Sequence, residues 1–383
     1  MFSGDASAYP IYLTIGNISK SLRRKPSQHA QVLLGYLPNP DLSGLPDITA
    51  RTVRARLFHS CMRRMIEPLN TAGLVGCKMT SGDGAVRSCH PILACYVADY
   101  PEQCLVTCTR QCPVCHASHN SLGDHIKDDS DQEWDIRDHL TTLHHLRHAS
   151  TIQTATAMEE YLKNEGLTHV IQPFWEGLPH CNIHSCITPD ILHQLYQGLI
   201  KHLISWLIKL VGRVELDARF KRLPQAHGVR LFIKGITGLI RVSGTEHKHI
   251  CRQLLGCLVG APGVPIDAIK ATRALLDFLY IAQYQSHSES TLTYLSEALD
   301  EFHKYKDIFI RMDARSRKFN LFSLVIFACY TNPAVNSFRS TFQSAKASCC
   351  RTLPSKYPTF WDYRQLQHRI YGTASYRSGK GCL

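Results

Sequence analysis

Long apolar runs are missing from this chain: none approaches the roughly 20 residues a membrane-spanning helix needs, so no membrane partner is expected. The first residues, Met1 to Ser7, have neither a basic start nor an apolar core, so no secretory leader is expected either. Acidic residues are also scarce. Against 31 Asp and Glu stand 43 Lys and Arg, a formal charge of +12. Such a balance suits a polyanion such as DNA, although a merely basic soluble protein would show it too. There is no Gly-x-Ser-x-Gly elbow, which leaves a Ser/His/Asp hydrolase unsupported. No internal repeat is visible.

What the chain has is length, sulfur and imidazole. Its 383 residues, 44% of them hydrophobic, can build two or three domains with real cores. It holds 16 Cys and 21 His. Without a secretory leader, disulfides explain the cysteines poorly. Four fall between Cys104 and Cys115, and Cys112-Pro113-Val114-Cys115 has the Cys-x-x-Cys spacing that zinc prefers. No thioredoxin-like βαβ pattern surrounds that pair, which argues against a redox motif.

Four zones follow along the chain. Residues 1–118 read as strand-rich. Tyr9 to Ile15 and Gln31 to Leu37 are β-branched and aromatic runs closed by turn residues. Val53 to Glu67 predicts a helix stopped by Pro68. His90 to Ala98 predicts a short buried strand ending at Asp99. Residues 119–172 are polar: an acidic loop at Gly123 to Asp135, then helices at Asp138 to His148 and Thr154 to Asn164. Residues 173–320 are helical. Thr188-Pro189-Asp190 is a helix start with Thr as the cap, and Leu192, Leu195, Tyr196, Leu199, Leu203, Trp206 and Leu210 then recur at helical spacing. Further helices are expected over Ile266 to Tyr284 and Ser290 to Phe309. Residues 321–383 lack periodicity and are dense in Ser, Arg, Tyr and Cys, unlike a domain whose local and global signals agree.

Several strings carry a resemblance: AYPIYLTIGNISKSLRRKPSQHAQVLLGYLP, CHPILACYVADYPEQC, PFWEGLPHCNIHSCITPDILHQLYQGLIKHLISWL, and RALLDFLYIAQYQSH followed by LDEFHKYKDIFI. In this order they resemble the fungal Plavaka group of DDE transposases, relatives of the CACTA elements, over about residues 3 to 320. A string as long as TPDILHQLYQG is far more specific than a short motif. The resemblance implies an RNase H-like core interrupted by helical insertions; with the aperiodic end of this chain, the expected fold is α/β, an incomplete RNase H-like core with a helical insertion region and an irregular C-terminal tail. It also implies DNA cutting and joining by carboxylates that hold two divalent ions, Mg²⁺ ancestrally, which activate the attacking oxygen and stabilise the leaving one.

The resemblance singles out particular residues. Asp99 is the candidate second acid, against the plainer reading of a surface aspartate at a strand end; Asp83, between two glycines, is its rival. Asp190 and His193 match the Asp-x-x-His signature that accompanies this acid, one helical turn apart on one face; helix capping with a packed His193 would use the same residues. Relatives pair a Cys-x-x-Cys with downstream histidines. Cys112 and Cys115 with partners from His139, His144, His145 and His148, and Cys104 and Cys108 as alternatives, are therefore candidate ligands of a structural Zn²⁺; ordinary buried Cys104 and Cys108 with solvated histidines are the alternative. Arg23, Arg24 and Lys25 are candidate DNA contacts or simply a solvated turn.

The first family acid is expected just upstream of Phe2-Ser3-Gly4, and Asp5 sits in the wrong context to replace it. Codons for Thr359 to Leu383 read one nucleotide out of register can yield a family-like peptide. The third acid is therefore expected in a frame not used here, entered between Leu321 and Ser344. Glu246 is its rival within the chain, and reads first as a helix-start residue. The expected function is that of a degenerate, catalytically inactive transposase remnant with residual DNA binding, nuclear by family and charge, whose partners are DNA and other transposase copies. The alternative is a zinc-stabilised nucleic-acid or protein binding module without enzymatic activity. A product that never folds well is a third expectation.

Overall fold

The computed structural model describes residues 8–117, 135–284, 286–316 and 351–353. The expectations for Phe2 to Asp5, for the acidic loop before Asp135 and for nearly all of 321–383 lie outside those residues. The protein mixes helix with small sheets and divides into two compact units. One comprises Met1–Ala94, Val170–Cys181 and Ser340–Leu383, the other Cys95–His169 and Asn182–Arg339.

In the first unit the two β-branched runs form an antiparallel hairpin of β1 (Ala8–Thr14) and β2 (Gln31–Pro38), whose register shifts between Ile11 and Tyr12. The basic turn between them contains the short helix α1 (Lys20–Arg23). Next comes α2 (Asp47–Val75), which runs straight through Pro68 instead of stopping there. An interior proline costs a helix about 3 kcal/mol, but packing holds the second half. Gly73 lies so close to Pro179 that a Cβ would come within 2.5 Å of its ring, and the Gly73 carbonyl meets His90 Nδ1 at 2.9 Å. After it come β3 (Cys77–Thr80) and β4 (Val86–Cys89), antiparallel to one another. Asp83 sits in the turn between them. Arg87 donates to both its oxygens, at 2.8 and 2.6 Å, and holds its carboxyl well below the usual range. A third strand, β5 (Arg351–Leu353), pairs with β4.

The second unit is helical. It contains α3 (Tyr100–Thr107), α4 (His139–Ala149), α5 (Ala155–Asn164) and α6 (Ile183–Cys186). A π-wound helix, Ile191–Ile200, passes directly into α7 (Lys201–Val211). Then follow α8 (Arg213–Arg222), α9 (Gly244–Leu258), α10 (Ile266–Ile281), α11 (Glu289–Tyr305) and α12 (Ile308–Arg311). Asp138 and Thr154 cap α4 and α5, and Ser243 with Glu246 forms a capping box on α9, the helix-start role expected of Glu246. Leu203, Leu216, Phe220, Leu254, Phe278 and Phe302 are fully buried in one core shared by α7 to α11. Each such side chain contributes about 1.5–3 kcal/mol of burial. Of the predicted apolar stripe, Leu192 alone is exposed, at the first turn of the π-wound helix.

The predicted strand over His90 to Ala98 is a correction. The segment is irregular. Only Tyr96 pairs, in a single parallel bridge with Ile187, and Val97 is 81% exposed. Its apolar residues are only partly covered, and a short apolar run does not by itself specify a ladder. The described sheets are antiparallel and have two and three strands.

Candidate functional site

The bridge at Tyr96 and Ile187 organises the site. It is parallel, so both segments run the same way, and three residues beyond it each reaches an aspartate, Asp99 on one and Asp190 on the other. Each aspartate then caps a helix. Asp99 starts α3 and accepts from the Glu102 N–H at 3.1 Å. Asp190 starts the π-wound helix and accepts from the Leu192 and His193 N–H groups at 2.9 and 3.1 Å. Thr188, expected as the cap, instead donates its hydroxyl to the Tyr96 carbonyl at 3.2 Å, and the cap moves to Asp190.

Four residues past each aspartate stands a glutamine. Gln103 is completely buried, and its amide nitrogen donates to the Ala98 carbonyl at 2.8 Å and the Thr188 carbonyl at 2.9 Å. Its amide oxygen accepts from Gln194 at 3.3 Å, while Gln194 accepts from the Asp190 N–H at 3.2 Å. Two buried amides thus tie the residues just ahead of both acids into one network. The two carboxylates are thereby brought to the same end of the paired segments. His193 Nδ1 lies 2.5 Å from Asp190 Oδ2, with the imidazole half exposed. It is therefore not packed, as plain capping would have it. The Tyr96 hydroxyl donates to Glu102 at 2.7 Å.

The cysteine set comes out differently. Cys108 takes a left-handed backbone as the C-cap of α3, and burial pushes its thiol far up. The Cys104 thiol donates to the Gln111 carbonyl at 3.1 Å, and burial pushes it up to about 11. Cys112 and Cys115 are buried. Cys112 Sγ accepts the Val114 N–H at 3.4 Å. The buried Arg137 guanidinium donates to the Cys112 and Cys115 carbonyls at 2.9 and 3.2 Å. His148 packs its ring edge-on to Tyr161, and His144 against His145.

Among the described residues no group of three or more His, Cys, Asp or Glu side chains is arranged to hold a metal. The predicted zinc set of Cys104, Cys108, Cys112, Cys115, His144 and His148 is therefore not assembled there. The Cys104 thiol is turned to the Gln111 carbonyl instead, and the His144 and His148 rings pack against His145 and Tyr161.

His184 locks the cysteine turn. Fully buried, it meets the Pro113 carbonyl at 2.7 Å through Nδ1 and the Thr142 hydroxyl at 2.9 Å through Nε2. Burial pushes its pKa down to about 3, so it is neutral. In the other unit, Arg24 and Lys25 are exposed, whereas Arg23 is half-buried. The sequence reading passed over Gln103, Gln194, Arg137 and His184. For the glutamines a signal existed, the repeated Asp-x-x-x-Gln spacing.

Among curated proteins and solved structures nothing matches the chain. One family model does, over residues 1–207, more than half of the 383, taking in Asp99, the cysteine segment, Asp190 and His193. By that match the chain belongs to the family described as Plavaka transposase.

Proposed function

We propose that this protein is a DNA-binding member of its family that does not cleave DNA. The observation that carries this reading is the placement of Asp99 and Asp190, each just beyond the parallel Tyr96–Ile187 bridge on segments clamped by Gln103. This is where an RNase H-like ancestor would have held divalent ions. A two-ion reaction needs ligands enough to hold both ions a few Å apart. Here one oxygen of Asp99 and both oxygens of Asp190 already serve the helix starts and His193. Two carboxylates so engaged do not fit that centre. Family membership and the charge of +12 support a DNA partner, a nuclear site of action and association with other transposase copies.

The test uses the purified chain and a labelled duplex in Mg²⁺ or Mn²⁺. Salt-sensitive retention without cleavage is expected. Metal-dependent cleavage that disappears in Asp99→Ala would overturn the reading. The zinc-stabilised alternative has one supporting contact, the Val114 N–H on Cys112 Sγ, a bond that would suit a metal-bound thiolate. About one zinc per purified chain would restore it.

A further inference from the structure

The helical unit divides its charge unevenly. Between residues 201 and 252 there are eleven Lys and Arg against three Asp and Glu; between 253 and 316 there are six against eight. The three acids of the basic half are each engaged. Glu215 pairs with Arg219, Glu246 caps α9 and pairs with Arg230, and Asp217 accepts from the Ile236 and Thr237 N–H groups and the Thr237 hydroxyl. The positive field of this half is therefore left uncompensated.

Part of that charge lines a groove of about 580 Å³. One wall is the outer face of α7 and the start of α8, where Lys201, Ser205, Lys209 and Arg213 are all exposed. The first three recur every four residues, so they share a face. Neither lysine nor Arg213 has an ion pair among the described residues. The opposite wall includes Thr237 and His247. Asp217 braces this wall. Its carboxylate approaches Gly235 so closely that a Cβ there would come within 2.2 Å, and Gly235 adopts φ +81°, a backbone that suits glycine. Burial raises the Asp217 pKa, but the Thr237 hydroxyl and the two N–H groups outweigh this and hold it below the usual range. The wall is thus anchored to α8 rather than loosely draped.

We propose that this groove binds the sugar–phosphate backbone of duplex DNA, with Lys201, Lys209 and Arg213 on phosphates spaced along one strand and Ser205 as a neutral donor. Lys201 and Lys209 are about 12 Å apart along the helix axis. A DNA strand advances about 3.4 Å per phosphate along its axis, so the row spans about three or four phosphates. Contacts to phosphates carry no sequence information, so the expected binding is independent of sequence. The inference rests on the DNA-binding reading above and names the site for it.

The experiment measures affinity of the intact chain for a labelled random-sequence duplex across a salt series. Lys201→Gln/Lys209→Gln/Arg213→Gln removes three exposed charges; Lys270→Gln/Arg273→Gln/Lys304→Gln removes three from the acidic half as a charge-matched control. The groove variant is expected to weaken binding at least about tenfold at 0.1 M salt and to reduce the log–log salt slope by about 2.7. The control should change the slope by less than one. Ser205→Glu, a single exposed change to a good helix former, should weaken binding in the same direction. Equal losses in the groove and control variants would overturn the groove in favour of diffuse charge. Wild-type binding that the groove variant retains would overturn the groove and leave the DNA-binding reading standing. No wild-type binding would overturn both, and a clear preference for duplex RNA would overturn the choice of partner.

Discussion

Gln103 and His184 do the same thing in two parts of the helical unit, with opposite results. Each is a fully buried polar side chain that clamps two distant backbone segments through its two polar ends. Gln103 draws together the segments ahead of Asp99 and Asp190, and what projects beyond it includes the exposed Asp99 and the half-exposed His193. His184 draws the Cys112–Cys115 turn onto α4, and the thiols there are sealed in. One clamp leaves oxygen facing water. The other closes sulfur inside. An exposed acidic surface and a sealed core can thus be built by the same device, and only what lies outside the clamp tells them apart.

The largest expected effect comes from Gln103→Leu. It leaves the Ala98 and Thr188 carbonyls without donors and Gln194 without its acceptor, at about 1–3 kcal/mol for each buried group left unpaired. A loss of about 3 kcal/mol in urea unfolding is expected, and a near-neutral result would break the comparison. His184→Ala should cost about 2 kcal/mol by the same reasoning and leave Asp99 and Asp190 in place.

His184 also sets a pH dependence. Its folded pKa, about 3, lies below the ordinary imidazole value of 6.5. The unfolded chain therefore binds the extra proton first. The contribution is fully present above about pH 6.5 and is lost as pH falls from there towards 3. Unfolding measured across that window should show the slope in the wild type and a shallower one in His184→Gln.

Smaller effects follow at the acids. Asp190 accepts two N–H groups where Asp99 accepts one, so Asp190→Ala should cost about 1–2 kcal/mol and Asp99→Ala about 1. Equal losses would mean that the caps differ less than their bonding suggests. The smallest effect is expected from a chelator, which should leave the melting temperature unchanged. A fall of several degrees would mean that the sulfur side is a metal site after all.

Much of this was legible in the sequence. The hairpin strands, α4, α5, α10 and the α9 capping box follow from residue type and spacing, because propensity, periodicity and capping agree there. Asp99, Asp190 and His193 were legible as candidates through resemblance and spacing. What put the two acids together was not. The burial of Gln103 depends on a segment about 90 residues away, which its own stretch of sequence does not show. Pro68 reads as a stop because the contacts of Gly73 with Pro179 are tertiary. Cys-x-x-Cys spacing is visible in sequence, but whether further ligands converge on it is decided by packing, and here the Cys104 thiol turns to the Gln111 carbonyl and His148 packs on Tyr161.

The bridge between Tyr96 and Ile187 has a consequence for the order of events during synthesis. The two partners are separated by about 90 residues, so the chain must be extended by that much before the pairing can form. At ribosomal rates of about 5–20 residues per second this is a delay of about 5–18 seconds. Closing so long a loop also costs entropy before any contact repays it. The acids are therefore among the last parts of their neighbourhood to come into register, and a nascent chain carries Asp99 well before it can present an assembled pair to nucleic acid.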